Sequence, residues 1–155
     1  MTEGGVATRL LGAADVAPMR EVLAMFAEAF EDAESYGAHP PSDAYLAERL
    51  ADPAFLVVAG LVDGAVVGGL AAYVLRKFEQ ERSEIYIYDL AVLAPCRRRG
   101  VATAMIERLR DVARERGASV IFVQADHGDD PAIALYTKLG TRADVLHFDI
   151  APGSP

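Results

Sequence analysis

Three groups of residues in this 155-residue chain have types and spacings that could do chemistry. The run Arg97-Arg98-Arg99-Gly100-Val101-Ala102 follows a hydrophobic stretch and precedes Ala102, Met105, Ile106, Leu109, Val112 and Ala113, an apolar stripe at helical spacing, so it is a turn that opens a helix. A helix start leaves about four N–H groups without intrahelical partners and carries partial positive charge. Gly100 has no Cβ to hold a ligand off the backbone, Ala102 is nearly as small, and the arginines add charge-assisted donors. Cradling a pyrophosphate suits such a turn. A tight strand-to-helix connection with solvated arginines suits the same residues.

The second group centres on Asp89, in a run with Ile85, Tyr86, Ile87, Tyr88 and Val92 that reads as a largely buried strand. A charge there needs a partner or a purpose, and accepting a proton from a bound amine is one purpose. Glu84, Tyr86 and Tyr88 on the same strand, with Asp126, Asp129 and Asp130 downstream, are candidates for holding a polycation around it. The plainer reading makes the downstream acids loop and cap carboxylates, with Asp129 or Asp130 capping the last helix. His127 is an alternative base, since histidine titrates near neutrality. The third group is Tyr136, five residues past Pro131 in the last helix. A phenol has a pKa near that of a thiol and can protonate a thiolate, but a half-buried core tyrosine would look the same.

The remaining reactive types suggest less. Cys96 beside three arginines admits a nucleophilic reading, and as a lone cysteine it excludes an intramolecular disulfide. His39 and His147 read as loop and strand residues, and three scattered histidines make no metal set. Glu28, Glu31, Asp32 and Glu34 crowd the end of the first helix, where the helix dipole disfavours negative charge. They are either a solvated end or a contact for a cationic ligand.

The elements that must position these groups follow from hydrophobic period and turn residues. Thr8 to Leu11 is a short strand, and Asp15 begins a helix with Val16, Met19, Leu23, Phe26 and Phe30 on one face. Tyr36 to Pro41 is a loop, and Ser42 caps a helix reaching Ala51. Phe55 to Val62 and Ala65 to Leu75 form a hairpin about Asp63-Gly64. Arg76 to Arg82 crosses to the Asp89 strand, Gly117 ends the helix after the arginines, and Val120 to Gln124 is a parallel strand. Pro131 to Gly140 is the last helix, and Val145 to Ile150 alternates as a closing strand. Residues 1–150 make one domain, with 151–155 a disordered tail.

A net charge of −8, from 23 acidic and 15 basic residues, repels phosphate backbones and argues against nucleic acid. No apolar run approaches the roughly twenty residues of a membrane span, and the N-terminus is unlike a signal peptide, so a cytoplasmic location with no membrane partner is expected.

Arg97-x-x-Gly100-x-Ala102 after a hydrophobic strand resembles the acyl-CoA signature of the GNAT N-acetyltransferases, Gln/Arg-x-x-Gly-x-Gly/Ala. Asp129 to Gly140 resembles the same superfamily's second motif, Asn-x-x-Ala-x-x-x-Tyr-x-x-x-Gly-Phe, with Asp129 in place of Asn and Thr141 in place of Phe. Tyr73 to Gln80, Arg82 to Val92, Val123 to Asp126 and Gly128 to Gly140 are similar to the gentamicin-type aminoglycoside 3-N-acetyltransferases, a resemblance covering most of residues 15 to 150.

The resemblance implies an α/β (α+β) GNAT fold, with a mixed, mostly antiparallel sheet of about six or seven strands, about four flanking helices, and splayed parallel central strands. It implies acetyl-CoA as cofactor, with the pantetheine arm paired to Leu90, Ala91 and Val92, the pyrophosphate held by Arg97, Arg98, Arg99, Gly100, Val101, Ala102 and Thr103, and Tyr136 at the thioester. The implied reaction is direct acetylation of an aminoglycoside, at the 3-amino group, with Asp89 as direct or water-mediated base and Tyr136 as acid. Such a reaction confers antibiotic resistance. A homodimer is one assembly it allows. The rival readings are a polyamine or peptide N-acetyltransferase on the same scaffold and a non-catalytic acyl-CoA-binding sensor.

Overall fold

The computed structural model describes residues 4–154, so residues 1–3 and Pro155, the last residue of the expected tail, lie outside it. The chain divides into two compact units, the first ending at Gln124 and the second beginning at Ala125. The first holds β1 (Val6–Leu10), α1 (Val16–Ala29), α2 (Ala33–Gly37), α3 (Asp43–Ala51), β2 (Phe55–Val62), β3 (Ala65–Arg76), β4 (Ser83–Val92), a 3-10 turn (Ala94–Cys96), α4 (Val101–Arg116) and β5 (Ile121–Val123). The second holds α5 (Asp130–Leu139) and a C-terminal stretch without regular structure.

The sheet order is β1-β2-β3-β4-β5, antiparallel throughout except for the parallel β4–β5 pair. The β2–β3 turn is the expected Asp63-Gly64, with both residues at positive φ (51° and 79°), as the primed hairpin turns require. One face of the sheet carries α1 and α3, whose Val22, Met25, Phe26, Leu46 and Leu50 form a core with Val57, Ala59 and Ala91. The other face carries α4, which buries Val101, Met105, Ile106 and Leu109. Both helices come close because the strands present glycines. A Cβ on Gly69 would lie 2.8 Å from Met25 Cε, and one on Gly60 would lie 2.6 Å from Val101 Cγ1.

Three expectations are corrected. The sheet has five strands rather than six or seven, because Val145 to Ile150 pairs with nothing among the described residues; Val145, Leu146, Phe148 and Ile150 are exposed. Alternating residues suit a strand, but only a neighbouring strand turns them into one. There are five helices rather than four, since Tyr36 and Gly37 belong to α2 and not to a loop. The acidic run at the end of the first helix has a structural cause. α1 stops at Ala29, Glu31 turns the chain at φ 51°, and Asp32 then caps α2 by accepting from Ser35 N–H at 3.0 Å. Part of the charge that read as an unfavourable C-terminus is a favourable N-terminus.

Candidate active site

The expected splay between the parallel strands is present. β4 and β5 pair only at Ile85–Ile121, Tyr86–Phe122 and Ile87–Val123, so β4 beyond Ile87 has no strand on that side. Ile85 N–H donates toward β5, to Val120 C=O, whereas Leu93 N–H donates toward β3, to Val67 C=O. Alternation along the strand therefore turns the backbone groups of Leu90 and Val92 to the open side, while those of Ala91 face β3. Arg97 Nε donates to Val92 C=O at 3.1 Å and ties the turn to the strand end. Arg98 (φ 63°) and Gly100 (φ 81°) are both left-handed, a curl that gathers N–H groups into a concavity. Gly100 begins α4 without any side-chain cap, as Asp15 begins α1, whereas Asp32, Ser42 and Asp129 cap α2, α3 and α5. A Cβ on Gly100 would meet no atom within 4 Å, so the space over the helix start is open.

A bulge decides where Asp89 points. Ala72 pairs with Ile87 but Ala71 pairs with Asp89, so Tyr88 is an extra residue in β4. Without it, Asp89 would alternate onto the face packed by α4; with it, Asp89 shares the α1 face with Tyr73 and Tyr86. There it is half-buried, and Tyr36 Oη donates to its Oδ1 at 2.8 Å. Burial raises the Asp89 pKa above the usual carboxylate range, and the Tyr36 hydrogen bond partly opposes this. Burial first, and the Asp89 hydrogen bond and charge next, push the Tyr36 phenol far up, so it stays protonated and remains a donor. Tyr36 went unnoticed in sequence as a site residue. Its signals were its place in the segment between the first helix and the one capped by Ser42, which in N-acetyltransferases borders the acceptor site, and Asp32 three residues before Ser35, the spacing of a capped helix start.

Glu84 lies at the far end of β4, beside Lys77 Nζ at 3.7 Å and Arg82 Nη1 at 3.6 Å. Its charge is balanced within the protein, which weakens its case as a substrate carboxylate. Tyr86 donates to Gln124 Oε1 at 2.9 Å and stacks on Phe122, and Tyr88 is exposed. In the second unit, Asp129 caps α5 by accepting from Ala132 N–H at 3.3 Å, one of the alternatives its sequence position allowed. Asp126, His127 and Asp130 are exposed around that helix start. Burial first, then the Asp129 charge, raise the Tyr136 phenol above its usual range. Among the described residues no cluster of metal ligands exists, and no helix is long and apolar enough to cross a membrane.

A family model described as the acetyltransferase (GNAT) family matches residues 19–141. The chain belongs to this GNAT family. An aminoglycoside acetyltransferase from an uncultured soil metagenomic sample superposes on this GNAT chain with a TM-score of 0.94 at 54% identity, over 96% of this chain and 99% of that one. A second soil enzyme of the same description, in complex with sisomicin, superposes with a TM-score of 0.88 at 28% identity, over 96% and 97%. Among curated proteins, an N-alpha-acetyltransferase of Saccharolobus solfataricus is 28% identical over 109 residues. That match spans 63% of each, so the GNAT chain covers less than two thirds of that relative.

Acetyltransferases of this family use acetyl-CoA, and the residues present fit it. The uncapped α4 start, with N–H groups from Val101, Ala102 and Thr103 and open space at Gly100, suits a pyrophosphate, while Arg98 and Arg99 are exposed beside it. The strand-free edge of β4 at Leu90, and the N–H of Val92 whose C=O is taken by Arg97, suit an extended amide-bearing arm. Ala91, also named in sequence, contributes a buried methyl to the core and faces β3 with its backbone.

Proposed function

We propose that this GNAT chain is an acetyl-CoA-dependent N-acetyltransferase of aminoglycosides, working by direct transfer without an acyl-enzyme. The observation that carries the reading is the half-buried Asp89 carboxylate, turned by the β4 bulge beside the strand-free edge at Leu90 and Val92. The soil enzyme at 54% identity is described as an aminoglycoside acetyltransferase, and the one at 28% is in complex with sisomicin, which supports the substrate class.

Acetyl-CoA, when bound, supplies an activated acetyl thioester. An aminoglycoside amine arrives protonated and must lose a proton before it attacks. Asp89 Oδ2 takes that proton directly or through a water, while Tyr36 holds Oδ1 and fixes the carboxylate's orientation. The raised pKa makes Asp89 a stronger base than an exposed aspartate would be. The hydroxyl of Tyr136 gives a proton to the departing sulfur. Its motif position supports that role. Tyr86 and Tyr88, on the same strand as Asp89, contact the acceptor. The 3-amino position, the gentamicin type, a homodimer and a cytoplasmic location are the finer parts of this reading.

Thiol release from acetyl-CoA with gentamicin, sisomicin, spermidine and an amino-terminal peptide as acceptors tests it. Turnover with the aminoglycosides is expected, with NMR of the product placing the acetyl group on the 3-amino nitrogen. Turnover with the peptide alone, or with none of them, would overturn it.

A further inference from the structure

Five aromatic rings run in unbroken contact across four strands on the open part of the α1 face. Phe55 on β2 and Tyr73 on β3 have centroids 5.3 Å apart, Tyr73 and Tyr88 meet edge to face at 6.0 Å, Tyr88 and Tyr86 at 5.8 Å, and Tyr86 lies parallel to Phe122 of β5 at 4.8 Å and 9°. These separations are those of favourable aromatic pairs. The row forms because cross-strand partners share a face: Phe55 pairs with Tyr73, Tyr73 with Tyr86, and Tyr86 with Phe122. The bulge then adds Tyr88 to the same side. Yet three of the five rings are left in water, Tyr73 44% exposed, Tyr88 64% and Phe122 37%, while Phe55 and Tyr86 are partly buried. A continuous exposed aromatic surface of this kind marks a binding site.

Its chemistry selects the occupant. Ring faces are electron-rich and attract cations, and Asp89 lies beside the middle of the row, where its carboxylate adds to the larger effect of burial in raising the Tyr73 and Tyr86 phenols. The nearby Arg49 lies over the Tyr45 ring and pairs with Glu48 and Asp52, and at Tyr73 its charge is a smaller effect than that of Asp89. A flat, rigid surface rewards a flat, rigid ligand. A saturated ring bearing ammonium groups lays polarised C–H bonds on the rings and loses little entropy, whereas an acyclic chain must freeze its torsions to lie there. We propose that this row is the platform on which the acceptor lies, and that it selects a saturated cyclic polyamine, an amino sugar or aminocyclitol, over an acyclic polyamine of similar charge.

The proposal rests on the acetyl-transfer reading for its site but is tested apart from it. The readout is the ratio of kcat/KM for sisomicin to that for spermidine in Tyr88→Ala and Tyr88→Phe, with circular dichroism as the folding check. Tyr88→Ala should lower the ratio roughly 3- to 30-fold, the range for one cation–π contact, and Tyr88→Phe, which keeps the ring, should hold it within about twofold. An unchanged ratio in Tyr88→Ala, with aminoglycoside turnover intact, overturns the platform and leaves the transfer reading standing. The chain has no tryptophan, so its tyrosine emission reports binding without turnover. Emission changed by sisomicin in the wild type and not in Tyr88→Ala, in a protein that releases no thiol, would support the platform and overturn the transfer reading. No emission change and no thiol release would overturn both.

Discussion

The turn that opens α4 and the acid end of the sheet differ in what they are made of. At the turn, the groups offered to a ligand are backbone N–H groups and side chains within seven consecutive residues, Arg97 to Thr103, shaped by two left-handed residues and left uncapped. At the acid end they are side chains from distant segments: Tyr36 and Asp89 are 53 residues apart, and the rings beside them come from four strands. A backbone cradle survives the loss of most side chains but not of the glycine that lets it curl. A side-chain pocket keeps its backbone under substitution and loses its chemistry one residue at a time. The cofactor end should therefore be insensitive to changes that abolish turnover, and the acceptor end insensitive to changes that abolish cofactor binding.

The largest expected effect breaks one end only. Asp89→Asn keeps the shape and an acceptor for the Tyr36 hydroxyl but removes the base, and Tyr136→Phe removes the acid. Each should lower kcat by roughly 10²- to 10⁴-fold, the usual contribution of a positioned acid or base, with acetyl-CoA affinity by calorimetry unchanged. Normal turnover in Asp89→Asn would take the proton transfer away from this strand and leave it to His127 or a water chain.

The converse is Gly100→Val, which forces a β-branched residue to φ 81°. It should weaken acetyl-CoA binding by roughly tenfold or more, since left-handed geometry costs an L-residue about 1–2 kcal/mol before any clash with the ligand. Arg98→Ala should weaken it less, and the acceptor KM should move little in either. Equal affinities for wild type and a folded Gly100→Val protein would show that the cradle is not backbone.

A smaller effect sharpens the acid end. The Tyr36 hydrogen bond favours the ionised form of Asp89, so Tyr36→Phe should raise the Asp89 pKa further and leave less carboxylate at a given pH. The acid limb of the kcat/KM profile should move to higher pH, with a loss of roughly 3- to 10-fold on that limb that shrinks as pH rises. A loss equal at all pH values would mean that Tyr36 only packs.

The smallest is a stability change. The Asp89 pKa is raised in the folded state, so its contribution favours folding below the unfolded pKa, near 4, and that benefit is lost as pH rises through the folded value. At neutral pH the ionised group costs stability. Asp89→Asn should therefore raise Tm slightly at pH 7 to 8, and the difference should vanish as pH falls below about 4. A lower Tm at neutral pH would mean that the carboxylate holds the fold together rather than straining it.

The two ends differ in the same way in how far sequence could read them. The turn was legible because its causes are neighbours: strand residues, then arginines, a glycine, and an apolar stripe at a period of three and four. The hairpin at Asp63-Gly64 and, to within a residue, the α5 start beside Pro131 were legible for that reason too. Asp89 stood out as a charge in an apolar strand, but which face it occupied depended on the Tyr88 bulge, and a bulge exists only relative to the partner strand. Tyr36 and the aromatic row needed the whole sheet, as did the absence of pairing at Val145 to Ile150 among the described residues. Local conformation is set by residues within a turn or two along the chain, and sequence determined that much of this protein. Which side chains meet across 53 residues is set by register, crossover and packing, and only the tertiary structure decided it.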